Sequence, residues 1–166
     1  TLSQSNAEQI SMDVKEHDLA KDLEEISYQT KIVTNKPVSI HMIIHPTPFL
    51  LLYDTAHFLN AIKNLIDNSI KYSKDTGVNI KIEAERKRDT AVLRITDNGI
   101  GISKEELPHI FQQYYRGSSS NNHHHAYGFG LGLSYVEWVV KSHKGSISAT
   151  SELGKGTEFV INIPIY

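Results

Sequence analysis

Apolar residues first fall into register at Val14, Leu19, Leu23 and Ile26, with charged residues between them, which predicts a helix over residues 13–28. Residues 1–12, TLSQSNAEQISM, are polar and without period, and read as a linker or the remnant of a preceding segment. After Lys36-Pro37, residues 38–44 alternate in part and are rich in β-formers, so they predict a strand, with a second short strand at residues 49–53. Pro46 and Pro48 between them suit a hairpin loop and not a strand interior. Asp54 or Thr55 is a reasonable cap for a long helix reaching about Tyr72 or Ser73. Residues 78–84 alternate cleanly, residues 86–89 form a charged turn, and residues 91–96 complete a hairpin. Ser103 followed by Glu106 predicts a capped short helix. Residues 117–125 are small, polar and His-rich and read as a mobile loop. A helix over residues 128–143 carries Leu133, Val136, Val139 and Val140 on its apolar side. Two last strands, residues 146–150 and 157–163, flank the turn Gly154-Lys155-Gly156. Hairpin-linked strands mixed with helices predict a two-layer α/β sandwich rather than a doubly wound parallel sheet.

Composition narrows this further. A chain of 166 residues suggests one domain, and 39% apolar with 22% charged residues is a soluble globular balance. A net charge of −2 gives no electrostatic case for nucleic acid or an anionic membrane. The absence of cysteine excludes a disulfide framework, a zinc ribbon and a thiol nucleophile. No apolar run approaches a membrane span and no signal peptide opens the chain, yet Thr1 is not a starting Met. The expectation is a segment cut from something larger.

Candidate chemistry begins on the long helix. With Asn64 at zero on a wheel of about 100° per residue, His57, Asn60, Asn68 and Lys71 fall within roughly 40° of it. Taken alone, this polar stripe reads first as a solvated helix face, since most polar stripes are only that. Asn is however a poor helix former, and a site needing amide ligands would explain the repetition at i and i+4. Amide oxygens suit Mg²⁺, which prefers hard oxygen ligands and keeps several waters.

Two glycine turns follow. Asp97-Asn98-Gly99-Ile100-Gly101 comes directly after a strand. Asp and Gly are ordinary turn residues, but the carboxylate could also accept from an exocyclic amine while the glycines admit a flat ring. Gly128-Phe129-Gly130-Leu131-Gly132 opens a helix, whose free N–H groups favour phosphate. A polar loop rather than a strand precedes it, so a dinucleotide fingerprint fails, and no Walker-type loop is present.

Together these elements resemble one family. HFLNAIKNLIDNSIKYS is similar to the N box of sensor histidine kinases, DNGIGI to their G1 box, IFQQYYRG to their F box and GFGLGLSYV to their G2 box. GKGTEFVINIP is similar to the family's last glycine-threonine turn and closing strand, and the resemblance covers about residues 13–166. It implies that these residues form the catalytic, ATP-binding domain. Its fold would be the Bergerat ATP-binding fold, shared with DNA gyrase, MutL-type repair proteins and heat-shock chaperone ATPases. That fold is a mixed, mostly antiparallel sheet covered on one face by helices, with a mobile ATP lid. The implied activity uses ATP and Mg²⁺ and sends the γ-phosphoryl to a histidine on dimerisation helices outside this chain, for relay to a response regulator. The implied parent is a membrane-anchored homodimer with this domain in the cytoplasm, and the isolated fragment is expected to be a monomer that binds no nucleic acid.

The resemblance also implies residue roles. Asn68 would ligate Mg²⁺, Asn64 would support metal and phosphates, Lys71 would neutralise phosphate charge and Tyr72 would flank the nucleotide. Asp97 would take the adenine amine, with Gly99 and Gly101 as the base's floor and Thr157 in a water bridge. Phe111 and Tyr114 would pack the lid base, and Arg116 would reach the γ-phosphate. Gly128, Gly130 and Gly132 would let the lid fold over the triphosphate, with Ile100, Ile102, Phe129, Leu131 and Leu133 lining the pocket. Asn64, Asn68, Lys71 and Arg116 form the implied catalytic set.

Three positions depart from the family pattern. Asn60 stands where an acid, Gln or His is common and cannot act as a general base. His143-Lys144-Gly145 replaces a Gly-Gly turn, a change expected to be tolerable, and Ser69 stands where Ala is usual, a change expected to matter little. His123-His124-His125 lacks nearby acids or cysteines to complete a metal site. His17-Asp18 is similar to the family's phosphoacceptor box but lacks its proline, and His17 is expected on the surface of the first helix. Two alternatives remain open from sequence. One is a nucleotide-binding switch or degenerate kinase without phosphotransfer. The other is an anti-sigma serine kinase or another ATPase of the same fold.

Overall fold

The structure, a computed structural model, describes residues 11–115 and 132–165. Its first element is not the expected helix. Residues Lys15–Asp18 form a strand, β1, and α1 runs from Leu19 to Val33. Asp18 decides the boundary. Its backbone is extended, and its Oδ1 accepts from Ala20 N–H at 3.2 Å and from Phe49 N–H at 3.0 Å, so it both caps α1 and anchors the chain ahead of β3. His17 therefore lies on β1 opposite Leu51, with its ring 5.3 Å from the Tyr53 ring, and not on a helix. The helix also runs five residues past the expected end at Tyr28, to Val33.

The strands β2 (Val38–His45) and β3 (Leu50–Tyr53) lie where the sequence places them, but they do not form a hairpin. β3 pairs antiparallel with β1 in a separate two-stranded sheet. β2 instead pairs parallel with β4 (Val78–Lys87), in register from Val38–Val78 to His45–Glu85. A parallel pair needs a crossover, and β3 with α2 (Thr55–Lys71) supplies it. β4, β5 (Thr90–Asp97), β7 (Gly156–Pro164) and β6 (Ser146–Glu152) continue the main sheet antiparallel, in the order β2-β4-β5-β7-β6. The mixed, mostly antiparallel sheet with helices on one face is the expected architecture.

Alternation builds the core. Val78, Ile80, Ile82 and Ala84 of β4, with Phe159, Ile161 and Ile163 of β7, are buried, while Asn79 and Lys81 face water. Phe58, Ala61, Ile62, Leu65 and Ile66 give α2 its apolar side, and Val136, Val139 and Val140 do the same for α3 (Gly132–Ser142). Full burial of each large aliphatic side chain contributes roughly 1.5–3 kcal/mol.

The starts and ends of these two helices are stitched together. Asp54 caps α2 by accepting from His57 N–H at 2.9 Å, and its other oxygen accepts from Asp13 N–H at 2.8 Å. Burial opposes ionisation of this carboxyl, but the N–H groups of His57 and Asp13 more than offset it, holding the pKa below the ordinary carboxylate value. The Asp54 N–H in turn donates to His143 Nε2 at 2.9 Å, and His143 Nδ1 lies 2.8 Å from the Val139 carbonyl. The buried imidazole thus donates from Nδ1 and accepts at Nε2. His143 is more than a tolerated turn residue: it ties the end of α3 to the start of α2.

Candidate functional site

The wheel prediction for α2 holds in three dimensions. Its apolar residues enter the core, while His57, Asn64, Asn68 and Lys71 are half-buried along the opposite rim and Asn60 is exposed. Asn64 turns its Nδ2 back to the Asn60 carbonyl at 2.8 Å, which leaves its Oδ1 outward. A Cβ on Gly132 would lie 3.2 Å from that Oδ1, so the first residue of α3 sits directly over Asn64. The Asn68 amide makes no hydrogen bond among the described residues. Lys71 holds its Nζ 5.1 Å from the centroid of the Tyr72 ring, placing a cation at the C-terminal end of the amide stripe.

β5 delivers Asp97 to the same rim. Its Oδ1 accepts from Gly99 N–H at 2.9 Å and Thr157 N–H at 3.3 Å, and its Oδ2 accepts from the Ser69 hydroxyl at 2.8 Å. Close approach makes two glycines obligatory around it. A Cβ on Gly99 would lie 2.7 Å from the Tyr72 carbonyl and 2.9 Å from Asp97 Oδ1. Gly156, at φ +129°, packs on the Asp97 peptide, where any Cβ would overlap the Asp97 carbonyl oxygen.

The turn after Asp97 is fastened at several points. Ile100 N–H donates to the Tyr72 carbonyl at 3.0 Å, and Gly154 N–H donates to the Ile100 carbonyl at 2.8 Å. Gly101 is buried between these anchors, and Ile102 N–H donates to Ser151 Oγ at 2.8 Å. Ser151 has one proton, which reaches the Gly156 carbonyl at 2.8 Å, so the Thr157 hydroxyl, also at 2.8 Å, is the donor to Ser151. That leaves a Thr157 lone pair available. Phe111 packs edge-on to Phe159 at 6.3 Å. Tyr114 does not share that packing: it is 72% exposed with φ +61°, and Tyr115 is the tyrosine that packs on the core.

A helix face of amides, a fastened carboxylate and a glycine-bounded turn thus share one rim. The family model of histidine kinase-, DNA gyrase B- and HSP90-like ATPases matches residues 53–166. The chain belongs to that family. Among curated relatives, it is 37% identical to the sensor protein RprX of Bacteroides fragilis over 139 residues, covering 83% of this chain and 25% of that protein. It is 35% identical to the sensor histidine kinase YclK of Bacillus subtilis over 153 residues, covering 92% of this chain and 29% of that protein. The chain therefore spans between a quarter and a third of the length of these relatives. The fold is also that of the mycobacterial sensor histidine kinase MprB, with a TM-score of 0.77 at 23% identity over 90% of this chain and 97% of that one.

Of the residues singled out in the sequence, the structure brings Asn64, Asn68, Lys71, Tyr72, Asp97, Gly99, Ile100, Gly101, Gly132 and Thr157 to one rim, while Ile102 and Leu133 pack against the core. Arg116, Gly128, Phe129, Gly130, Leu131 and the His123–His125 run lie outside the described residues. Sequence reasoning missed Ser151 and dismissed Ser69, although both organise this rim. Ser69 meets Asp97 28 residues away, and Ser151 meets Gly156 and Thr157 across a turn, so no helix or strand period marks either serine.

Asn64 and Asn68 also fit the implied Mg²⁺. Both are neutral oxygen donors one helical turn apart, and the Asn68 amide, open to solvent, makes no hydrogen bond among the described residues that a metal would have to break. With so few protein donors, water and phosphate oxygens would complete the shell. No cluster of three or more His, Cys, Asp or Glu suited to a metal occurs among the described residues.

Proposed function

We propose that this chain is the catalytic, ATP-binding domain of a sensor histidine kinase, acting from residues 13–166 on a histidine carried by dimerisation helices. The observation that carries this reading is Asp97. Its carboxylate is fixed by three donors at the end of β5, beside the α2 amide face, and among the described residues no fourth donor takes its remaining lone pair. It is placed to accept from the amine of adenine, and the half-buried Tyr72 flanks the same turn.

Asn68 would hold Mg²⁺ with support from Asn64, and the ion when bound would neutralise charge developing on the phosphates. Lys71 would add a second positive charge at that end of the helix, and Arg116 would stabilise the transferring phosphoryl. The N-terminal end of α3, with the positive end of its helix dipole, favours phosphate oxygens. In the transfer, the acceptor imidazole nitrogen forms a bond to the γ-phosphorus as the bond to the β–γ bridging oxygen breaks. ADP leaves, and the imidazole gives up its ring proton. A receiver domain of a response regulator would then take the phosphoryl group. No described helix is long and apolar enough to cross a membrane, and we place this domain on the cytoplasmic side of an anchored, dimeric parent.

The test is to mix the chain with radiolabelled ATP, Mg²⁺ and the dimerisation helices of its parent. Acid-labile phosphate on the acceptor histidine is expected. ATP binding without any transfer would instead identify a nucleotide-binding switch. Phosphate on His17 of the isolated chain would overturn the assignment of the acceptor.

A further inference from the structure

We infer that Ser69 is a positioning residue for base recognition: it steers Asp97 Oδ2 and thereby sets how strongly the site prefers a purine with an exocyclic amine. This rests on the reading of Asp97 as the adenine-binding carboxylate. Ser69 is 3% exposed, on the core side of α2, one residue past Asn68. Its Oγ lies 2.8 Å from Asp97 Oδ2 and 3.2 Å from the Leu65 carbonyl oxygen. Both neighbours are acceptors and the hydroxyl has one proton, so the shorter contact, to a carboxylate, takes it.

The consequence follows from counting acceptor sites. A carboxylate offers about four, two on each oxygen. Gly99 N–H and Thr157 N–H occupy Oδ1, and Ser69 occupies one side of Oδ2. The one direction left open is on Oδ2, the atom Ser69 holds. The two backbone donors fix one end of the carboxylate, but rotation about its axis is restrained at the other end by Ser69. Without that hydroxyl, Oδ2 can swing or take a water, and an incoming amine must reorder it. A 6-oxo purine would present an oxygen to this oxygen and be rejected in either case, whereas a purine lacking any 6-substituent would be indifferent to Ser69.

The test uses the whole chain and calorimetric affinities for ADP and for purine riboside diphosphate, which lacks the amine. Ser69→Ala fits the helix because Ala is smaller and a stronger helix former. It is expected to weaken ADP binding about fivefold, the size of one hydrogen bond, and to leave purine riboside diphosphate unchanged, so the preference falls about fivefold. Equal weakening of both ligands would show a merely structural role and overturn the inference, as would no change in either. Asp97→Asn run alongside separates the two claims. If Asp97→Asn binds ADP like the wild type, the adenine reading itself fails. If it loses ADP while Ser69→Ala keeps the full preference, only the role of Ser69 fails.

Discussion

At the scale of single residues, the rim depends on where lone pairs and protons are left over. Asn64 uses its amide nitrogen on the helix and keeps its oxygen outward. Asn68 uses neither, although it is half-buried. Its amide atoms stay open to solvent, so an ion or phosphate could replace the water there without breaking a bond inside the protein. We therefore expect Asn68→Ala to remove most of the gain in ATP affinity that Mg²⁺ provides, by about tenfold, the scale of one charge-assisted contact. Titrations of ATP with and without Mg²⁺ measure that gain directly, and an undiminished gain would contradict the ligand role. Ser69 and Ser151 make the complementary point. Each has a single proton, and its destination decides which acceptor stays free for a ligand.

At the scale of elements, α2 is the part on which both halves of the site depend, and its start is built from residues far apart in sequence. Asp54 caps the helix, Asp13 ties it to the chain before β1, and His143 ties it to α3. Asp54→Ala should cost about 1 kcal/mol of stability, and up to about 2 kcal/mol given the extra bond from Asp13. The pH dependence has a definite sign. The folded pKa of Asp54 is lowered, so its stabilisation is complete above the ordinary carboxylate pKa of about 4 and is lost as pH falls through the folded value. Thermal melts of wild type and Asp54→Ala should differ most near neutrality and converge in acid. A gap that widens in acid would contradict the lowered pKa.

At the scale of the whole molecule, one core serves the main sheet and the three described α-helices. Leu65 is fully buried on α2 between the amide stripe and the sheet. Leu65→Ala should cost about 2–5 kcal/mol, a large part of the roughly 5–15 kcal/mol that holds a domain folded, and denaturant titration would show it as a lower midpoint. Much of this architecture was legible in the sequence. The period of residues 55–71 gave α2 and its polar rim, and the alternation of residues 78–84 gave a strand with one buried face. Long-range pairing was not legible. Nothing local in Lys-Glu-His-Asp marks a strand, because β1 exists only by its pairing with Leu50–Tyr53. The two prolines fitted a hairpin, yet β2 found its partner in β4 across a helix. Ser69 and His143 stood out only as departures from a motif, because their partners are 28 and 89 residues away.

The central claim is that this rim binds ATP through Asp97. Calorimetry of ATP and Mg²⁺ against wild type and Asp97→Asn tests it most directly, because the substitution keeps the side chain's size and an acceptor while setting an amide nitrogen against the base's amine. The wild type should bind, and Asp97→Asn should bind at least about 100-fold more weakly, as expected when a buried donor meets a donor. Equal affinity in a folded Asp97→Asn protein would contradict the claim.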